Sequence, residues 1–373
     1  MRQACIAVAA LVLLAAGLAP CQQADVIQQW TFEQDTEGWV SLDPLGALTR
    51  VANDAYAGEG ALAFTFPQRA PEAVAQEGQM PGIVAANVTA DATALQSVSF
   101  AVRTSGSTPL VVALNEEDKS SYLAAVWSPA GDWHNVELAL SDFRLSDDSS
   151  DENGRLDPEQ INVIVLADAG MLVRMLAQQG LPFTAPPPAD MTLLLDDVAL
   201  NPSAPPAVAT SGEKQVLIDM CTLPTIQWLP LGGDDVTLVS QESDDGERYL
   251  QVGYAAMPGT IFALLKSVGL GSLEGCNALS LQMRSYFDGE VVIALEQPGS
   301  IRFSTTVQVQ AGDAWQQIDI PFARFEPDRE SGATGTVDPG SIQQVAIADI
   351  RAMLDQMVST NTWDIRNLVG VKP

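Results

Sequence analysis

The sequence predicts an all-β protein built from two tandem β-sandwich domains of jelly-roll type, and three observations carry that prediction. The first is an internal repeat. Ala130-Gly131-Asp132-Trp133 opens the run WHNVELALSDF, and Ala311-Gly312-Asp313-Ala314-Trp315 opens the run WQQIDIPFARF. Asp157, Asp168 and Arg103 recur as Asp338, Asp349 and Arg284, each 181 positions later. A constant offset means two copies of one domain. The second observation is period-two alternation: Val98, Phe100 and Val102 face one way, Ser97, Ser99, Ala101 and Arg103 the other. Half-buried strands read this way. The third is regular punctuation by turn residues, such as Ser105-Gly106-Ser107 and Pro129-Ala130-Gly131-Asp132, which marks many short strands rather than helices.

The elements follow in chain order. Arg2 and a 16-residue apolar run from Ala4 to Ala19 read as a signal peptide over 1–20, since a spanning helix needs about 20 residues. The run ends in Leu18-Ala19-Pro20-Cys21, which resembles a bacterial lipobox with Pro in place of the usual small residue, so Cys21 is a candidate lipidation site and cleavage nearby without a lipid is the alternative. Either route implies export, as a cell-envelope lipoprotein or as a secreted or periplasmic protein. Module 1 spans 25–201, with strands expected near 26–33, 48–52, 60–66, 83–88, 95–103, 109–115, 121–127, 133–140, 161–167 and 191–200. A short helix is expected after the 161–167 strand, at Gly170 to Leu176, and again in the second copy at Ile350 to Met357. Module 1 adds a Pro-rich excursion, Leu181 to Ala189. A Pro/Ala/Ser linker covers 202–213, with no apolar periodicity, and module 2 covers 214–371.

Bulk properties narrow the partners. At 373 residues each copy is large enough to bury its own core. The formal charge of −29 excludes nucleic acid and anionic lipid as partners, because such binding rests on Lys and Arg. Membrane contact is expected only through a lipid on Cys21. Cys221 and Cys276 both lie in module 2, and an even pair in an exported protein predicts a disulfide. Closing that loop would stabilise by about 4 kcal/mol in the chain-entropy model.

Trp30-Thr31-Phe32-Glu33 with Asp35, Gly38 and Trp39, and the closing Leu194-Leu195-Asp196-Asp197-Val198-Ala199-Leu200, resemble bacterial jelly-roll modules of galactose-binding-like fold. Trp315 to Phe325 with Val337-Asp338-Pro339 and Ile342 is similar to family 11 carbohydrate-binding modules and to the complex I intermediate-associated protein 30 group. The resemblance spans both copies. It implies a structural calcium between the first and last strands, on Glu33 or Asp35 with Asp197 in module 1 and on Asp219 with Asn367 in module 2. Calcium takes six to eight oxygen ligands. The loop Asp147 to Gly154 has an EF-hand-like look with the wrong first and last ligands, and reads as a solvated loop.

The resemblance also implies a polysaccharide or glycan partner. Sugar stacking needs aromatic platforms with polar neighbours. Trp127 is out of phase with the core and is the better exposed platform, whereas Tyr122 sits in the core phase with Val126. Arg103 and Arg284 are opposite the core phase, free to bond a glycan or to pair with a sheet carboxylate. Trp39, Trp133, Trp228, Trp315 and Trp363 stand near strand starts and read as core or rim. His134 is the only histidine, and no nucleophile elbow, metal-binding His cluster or phosphate loop is present. The expectation is therefore a non-catalytic binding protein. A structural or adhesive module contacting cell-envelope components is the alternative, and a glycoside-active enzyme a weaker one. Trp127 makes module 1 the expected binder.

Overall fold

The computed structural model describes residues 26–373 apart from 69–81, 147, 179–180, 185–188, 206–213, 220, 222–224, 244 and 355–359, and apart from the side chains of 172, 175 and 176. The signal segment, Cys21 and most of the linker therefore lie outside the described residues.

Module 1 contains β1 (Gln28–Trp30), β2 (Val40–Ser41), β3 (Ala47–Ala52), β4 (Gly60–Pro67), β5 (Ile83–Asn87), β6 (Ser97–Thr104), β7 (Thr108–Glu116), β8 (Ser121–Ser128), β9 (His134–Ala139), β10 (Arg144–Leu145), β11 (Ile161–Asp168), helix α1 (Gly170–Gln178) and β12 (Asp190–Asn201). Module 2 contains β13 (Gln215–Asp219), β14 (Trp228–Leu231), β15 (Asp234–Glu242), β16 (Arg248–Ala255), β17 (Phe262–Ser267), β18 (Ala278–Ser285), β19 (Gly289–Gln297), β20 (Ile301–Val309), β21 (Gln316–Pro321), β22 (Glu326–Pro327), β23 (Gln344–Asp349) and β24 (Asn361–Val371). The period-two segments all became strands. The two-residue strands β2 and β10 are too short to carry a period. The helix expected after β23 is a turn over its described residues, Arg351 to Leu354.

Each module is two facing antiparallel sheets. In module 1, sheet A runs β3-β4-β12-β6-β9 with β1 added to β12, and sheet B runs β10-β8-β7-β11-β5-β2. In module 2, sheet C runs β15-β16-β24-β18-β21 with β13 added to β24, and sheet D runs β14-β17-β23-β19-β20-β22. The matching order restates the sequence repeat. The core phase is buried as expected: Val98, Phe100 and Val102 in one copy, Leu279, Leu281 and Met283 in the other. Both closing strands carry an irregularity, at Asp196/Ala199 and before Gln282 on the partner of β24. There Asp197 has φ 49° and Asn367 φ 55°. Asp and Asn tolerate left-handed backbone better than other side chains, so the Asp197/Asn367 exchange preserves a backbone requirement.

The modules dock through residues flanking β8 and β14. The Trp127 amide donates to the Ile226 carbonyl at 2.8 Å, and Thr225 Oγ1 accepts from the Glu137 amide at 2.7 Å. Trp127 is only 7% exposed and joins the apolar cluster of module 2 beside Ile226, Trp228 and Leu238. The Pro-rich excursion also crosses: the Ile261 amide donates to the Pro182 carbonyl at 2.6 Å. Phe183 and Val173 pack with Leu229, Leu231 and Ala263 on the outside of sheet D.

Candidate functional site

Trp127 is not an exposed platform. Its phase does point it away from the module 1 core, but the surface it points to is covered by module 2. Tyr122 is buried in the core, 2% exposed, and its hydroxyl donates to Asp151. Burial, reinforced by that carboxylate, pushes the phenol far above its ordinary value.

The expected disulfide is not formed. Cys221 and Cys276 are both buried free thiols, and they keep different company. Cys221 lies near Asp219, Lys266 and Trp228, while Cys276 packs on Gly370 beside Leu273. Burial raises both thiols, Cys221 well above its usual range.

Each acid of the expected calcium sets already has a protein partner. In module 1 the Glu33 carboxylate accepts from the Glu59 amide at 3.0 Å, Asp35 from the Glu37 amide at 2.6 Å, and Asp197 from Gln29 Nε2 at 2.5 Å. The carbonyl of Phe32, next to Glu33, is taken by Arg50 Nε at 2.7 Å. In module 2, Asp219 stands opposite Leu368 as Trp30 stands opposite Val198, so it is the register partner of Trp30 and not of Glu33. Its carboxylate faces the buried Lys266 ammonium at 3.5 Å. Among the described residues, the carboxylates that converge are Glu116, Asp118 and Asp151, with ligand atoms all within 4.8 Å of one another. They are bonded by Ser120, Tyr122 and the Asp157 amide, and burial pushes Glu116 up. The Asp147–Gly154 loop, read as merely solvated, thus delivers one member of that group.

Arg103 and Arg284 share an environment that the sequence only half revealed. Arg103 pairs with Asp54 and lies 5.2 Å from the Trp133 ring centre. Tyr56 is tilted against the same Trp at 6.0 Å, and its hydroxyl accepts from Asn135 Nδ2 at 2.7 Å. Arg284 lies against two touching rings, 4.9 Å from Trp315 and 5.1 Å from Tyr249, and Arg366 sits 4.2 Å from Trp315. Arginine stacks on aromatic faces with an attraction of about 0.5–2 kcal/mol. Trp133 and Trp315, read from the sequence as core or rim, are both half-buried. Both precede a strand in the phase of its outward side chains, Asn135 and Glu137 or Gln317 and Asp319, and that phase was readable.

The outer face of sheet C is the richer of the two. Strand register places Gln251, Asp364 and Arg284 in one row and Arg366, Gln282 and Gln317 in the next. Arg284 Nη2 pairs with Asp364 at 2.6 Å, Arg366 Nε donates to Gln282 at 2.7 Å, and Gln282 donates to Gln317 at 3.2 Å. Burial pushes the Asp364 carboxyl up, against the pull of Arg284. Gln317 and Tyr286 remain exposed, Tyr286 at 49%. The corresponding rows of sheet A hold Ala63, Leu194 and Arg103, then Asp196, Ala101 and Asn135. Fewer polar groups project there than on sheet C.

No protein-family model matches this sequence, and no curated protein matches it either. Solved structures do. A family 11 carbohydrate-binding module from Clostridium thermocellum, in complex with a β-1,3-1,4-mixed-linked tetrasaccharide, is 11% identical over 43% of this chain and 98% of its own, with a TM-score of 0.34. A CBM22-1–CBM22-2 tandem from Paenibacillus barcinonensis Xyn10C is 15% identical over 95% of this chain and 99% of its own, with a TM-score of 0.28. A family 30 module of a Clostridium thermocellum cellulosomal cellulase is 14% identical over 42% of this chain and 97% of its own, with a TM-score of 0.30. At these values the likeness says nothing about ligand. Among the described residues no helix is long and apolar enough to cross a membrane.

Proposed function

We propose that this is an exported, non-catalytic binding protein that takes a glycan on the outer face of sheet C. One observation carries the reading: rows of Gln, Arg and Asp side chains, held in register by neighbouring strands, lie beside Trp315, Tyr249 and the exposed ring of Tyr286. Sugar recognition needs an aromatic surface next to fixed planar hydrogen-bonding groups, and here the exposed Tyr286 ring and the exposed Gln317 amide supply them. Gln251, Gln282 and Gln317 offer amide donors and acceptors to hydroxyl groups. The acidic surface carries no cost for a neutral polysaccharide.

Affinity electrophoresis through gels containing neutral polysaccharides, mixed-linked β-glucan first, tests the reading. The intact chain is expected to be retarded. Tyr286→Ala should abolish the retardation while a thermal melt shows that the chain still folds, and Gln317→Ala should weaken it several-fold. Migration unaffected across a broad panel would overturn the assignment.

A further inference from the structure

Between the modules lies a cavity of about 470 Å³, lined by Trp127, Val173 and Arg174 of module 1 and by Pro230 and Val236 of module 2. That volume lies in the range of small-molecule sites; the edge strand β15 of sheet C supplies Asp235, Val236 and Thr237 to it, while Tyr286 and Gln317 are not among its lining residues.

Arg174 gives the cavity its chemistry. In module 2 the acid of the Ala-Asp pair, Asp349, is answered by Arg351, which bonds it through Nε at 2.9 Å and Nη2 at 2.7 Å. The position equivalent to Arg351 in module 1 is Gly170, and Arg174 stands further along α1. The Asp168 carboxylate is served instead by Thr108, by Gln68 Nε2 at 2.9 Å and by the Gly170 amide at 3.2 Å. Arg174 keeps one long bond, Nη1 to Gln68 Oε1 at 3.4 Å. Its Nε and Nη2 are buried with no partner, in a residue only 5% exposed. Thr184 Oγ1, also buried without a partner, lines the same cavity. Buried donors left unmade are expensive, the more so on a charged group. The Nε–Nη2 edge is a planar fork that matches two carboxylate oxygens. Burial draws the Arg174 pKa down, partly offset by Asp168, and a guanidinium stays charged at neutral pH.

We propose that this cavity binds a small organic carboxylate, with its two oxygens on the Nε–Nη2 edge of Arg174 and its body against Trp127 and Val173. The site uses none of Gln251, Gln282, Gln317 and Tyr286 and stands or falls without the glycan reading. Asp235, exposed on the lining, is the acidic residue that opposes the ligand.

Two kinds of molecule share this chemistry, a sugar acid and an apolar acid, so the experiment carries both. The full chain is titrated calorimetrically with glucuronate and with benzoate, each against a neutral counterpart, methyl glucoside and benzyl alcohol. At least one acid is expected to bind, ten-fold or more tighter than its counterpart, and the acid that binds assigns the source. Arg174→Lys keeps the charge and loses the fork, and should weaken that acid at least ten-fold. Val236→Phe, which fills the cavity from the other module, should do the same with Arg174 intact, while thermal melts report that both variants fold. Asp235→Asn should tighten binding about two- to three-fold. The proposal is overturned if neither acid binds, if acid and neutral counterpart bind alike, or if both folded cavity variants bind like the parent. Loss of carboxylate binding in Tyr286→Ala would also overturn it, because that ring is not among the cavity's lining residues.

Discussion

Arg351→Ala is expected to destabilise module 2 by about 3–5 kcal/mol, the usual result of leaving a buried charge without its partner. Asp349 is 1% exposed. Its carboxylate accepts from the Arg351 amide at 3.0 Å, from Arg351 Nε and Nη2, from the Tyr254 hydroxyl at 2.6 Å and from Asn361 Nδ2 at 3.2 Å. The Arg351 guanidinium in turn covers the Phe287 ring. Calorimetry should show the module 2 transition falling by roughly 6–20 °C, at 2–4 °C per kcal/mol for a domain this size. Module 1, which has Gly170 at that position, should melt as before.

The pH dependence follows from the same carboxylate. Burial by itself would raise the Asp349 pKa, but its bonds from Arg351 and Tyr254 win and hold it below the ordinary value. Its contribution is therefore present above the unfolded pKa and lost as pH falls through the lower folded value. Without Arg351 only burial and the neutral donors remain, the folded pKa rises, and protonation relieves the buried charge. The melting difference between parent and Arg351→Ala should accordingly narrow from pH 7 to pH 4. A loss under 1 kcal/mol at pH 7, or a gap that widens on acidification, would sink this account.

Trp127→Ala is the second large effect, and it should fall on how the modules dock. Removing a buried Trp costs about 3–5 kcal/mol. Trp127 is buried in one apolar cluster with Ile226, Trp228 and Leu238 across the junction, so the loss should weaken the docking and raise the radius of gyration in small-angle scattering. Retardation by polysaccharide should persist, since the proposed glycan face lies on sheet C. Lost retardation with unchanged scattering would restore Trp127 as a sugar platform.

Much of this was legible in the chain. The ten strands expected in module 1 are all present, because alternation of burial is a local property and repeats every two residues. Both AGD turns, the core phase of Tyr122 and the outward phase of Arg103 and Arg284 follow from the same rule. Trp133 and Trp315 were legible too, being in phase with the outward residues that follow them. Of the five Trp read as core or rim, Trp39, Trp228 and Trp363 are core, and Trp133 and Trp315 are half-buried.

The sequence by itself determined two copies of one antiparallel sandwich and, for each strand residue, which side of its sheet it faces. Only the tertiary structure decided what lies on that side. Trp127 points away from its own core, yet is buried because another module docks there. Arg284 meets Asp364, Tyr249 and Trp315 because adjacent strands bring positions far apart in sequence into register. Cys221 and Cys276 share a module but not a neighbourhood. Facing is set within one strand by backbone geometry, whereas exposure and partnership are set by surfaces that meet only when the sheets stack and the modules join.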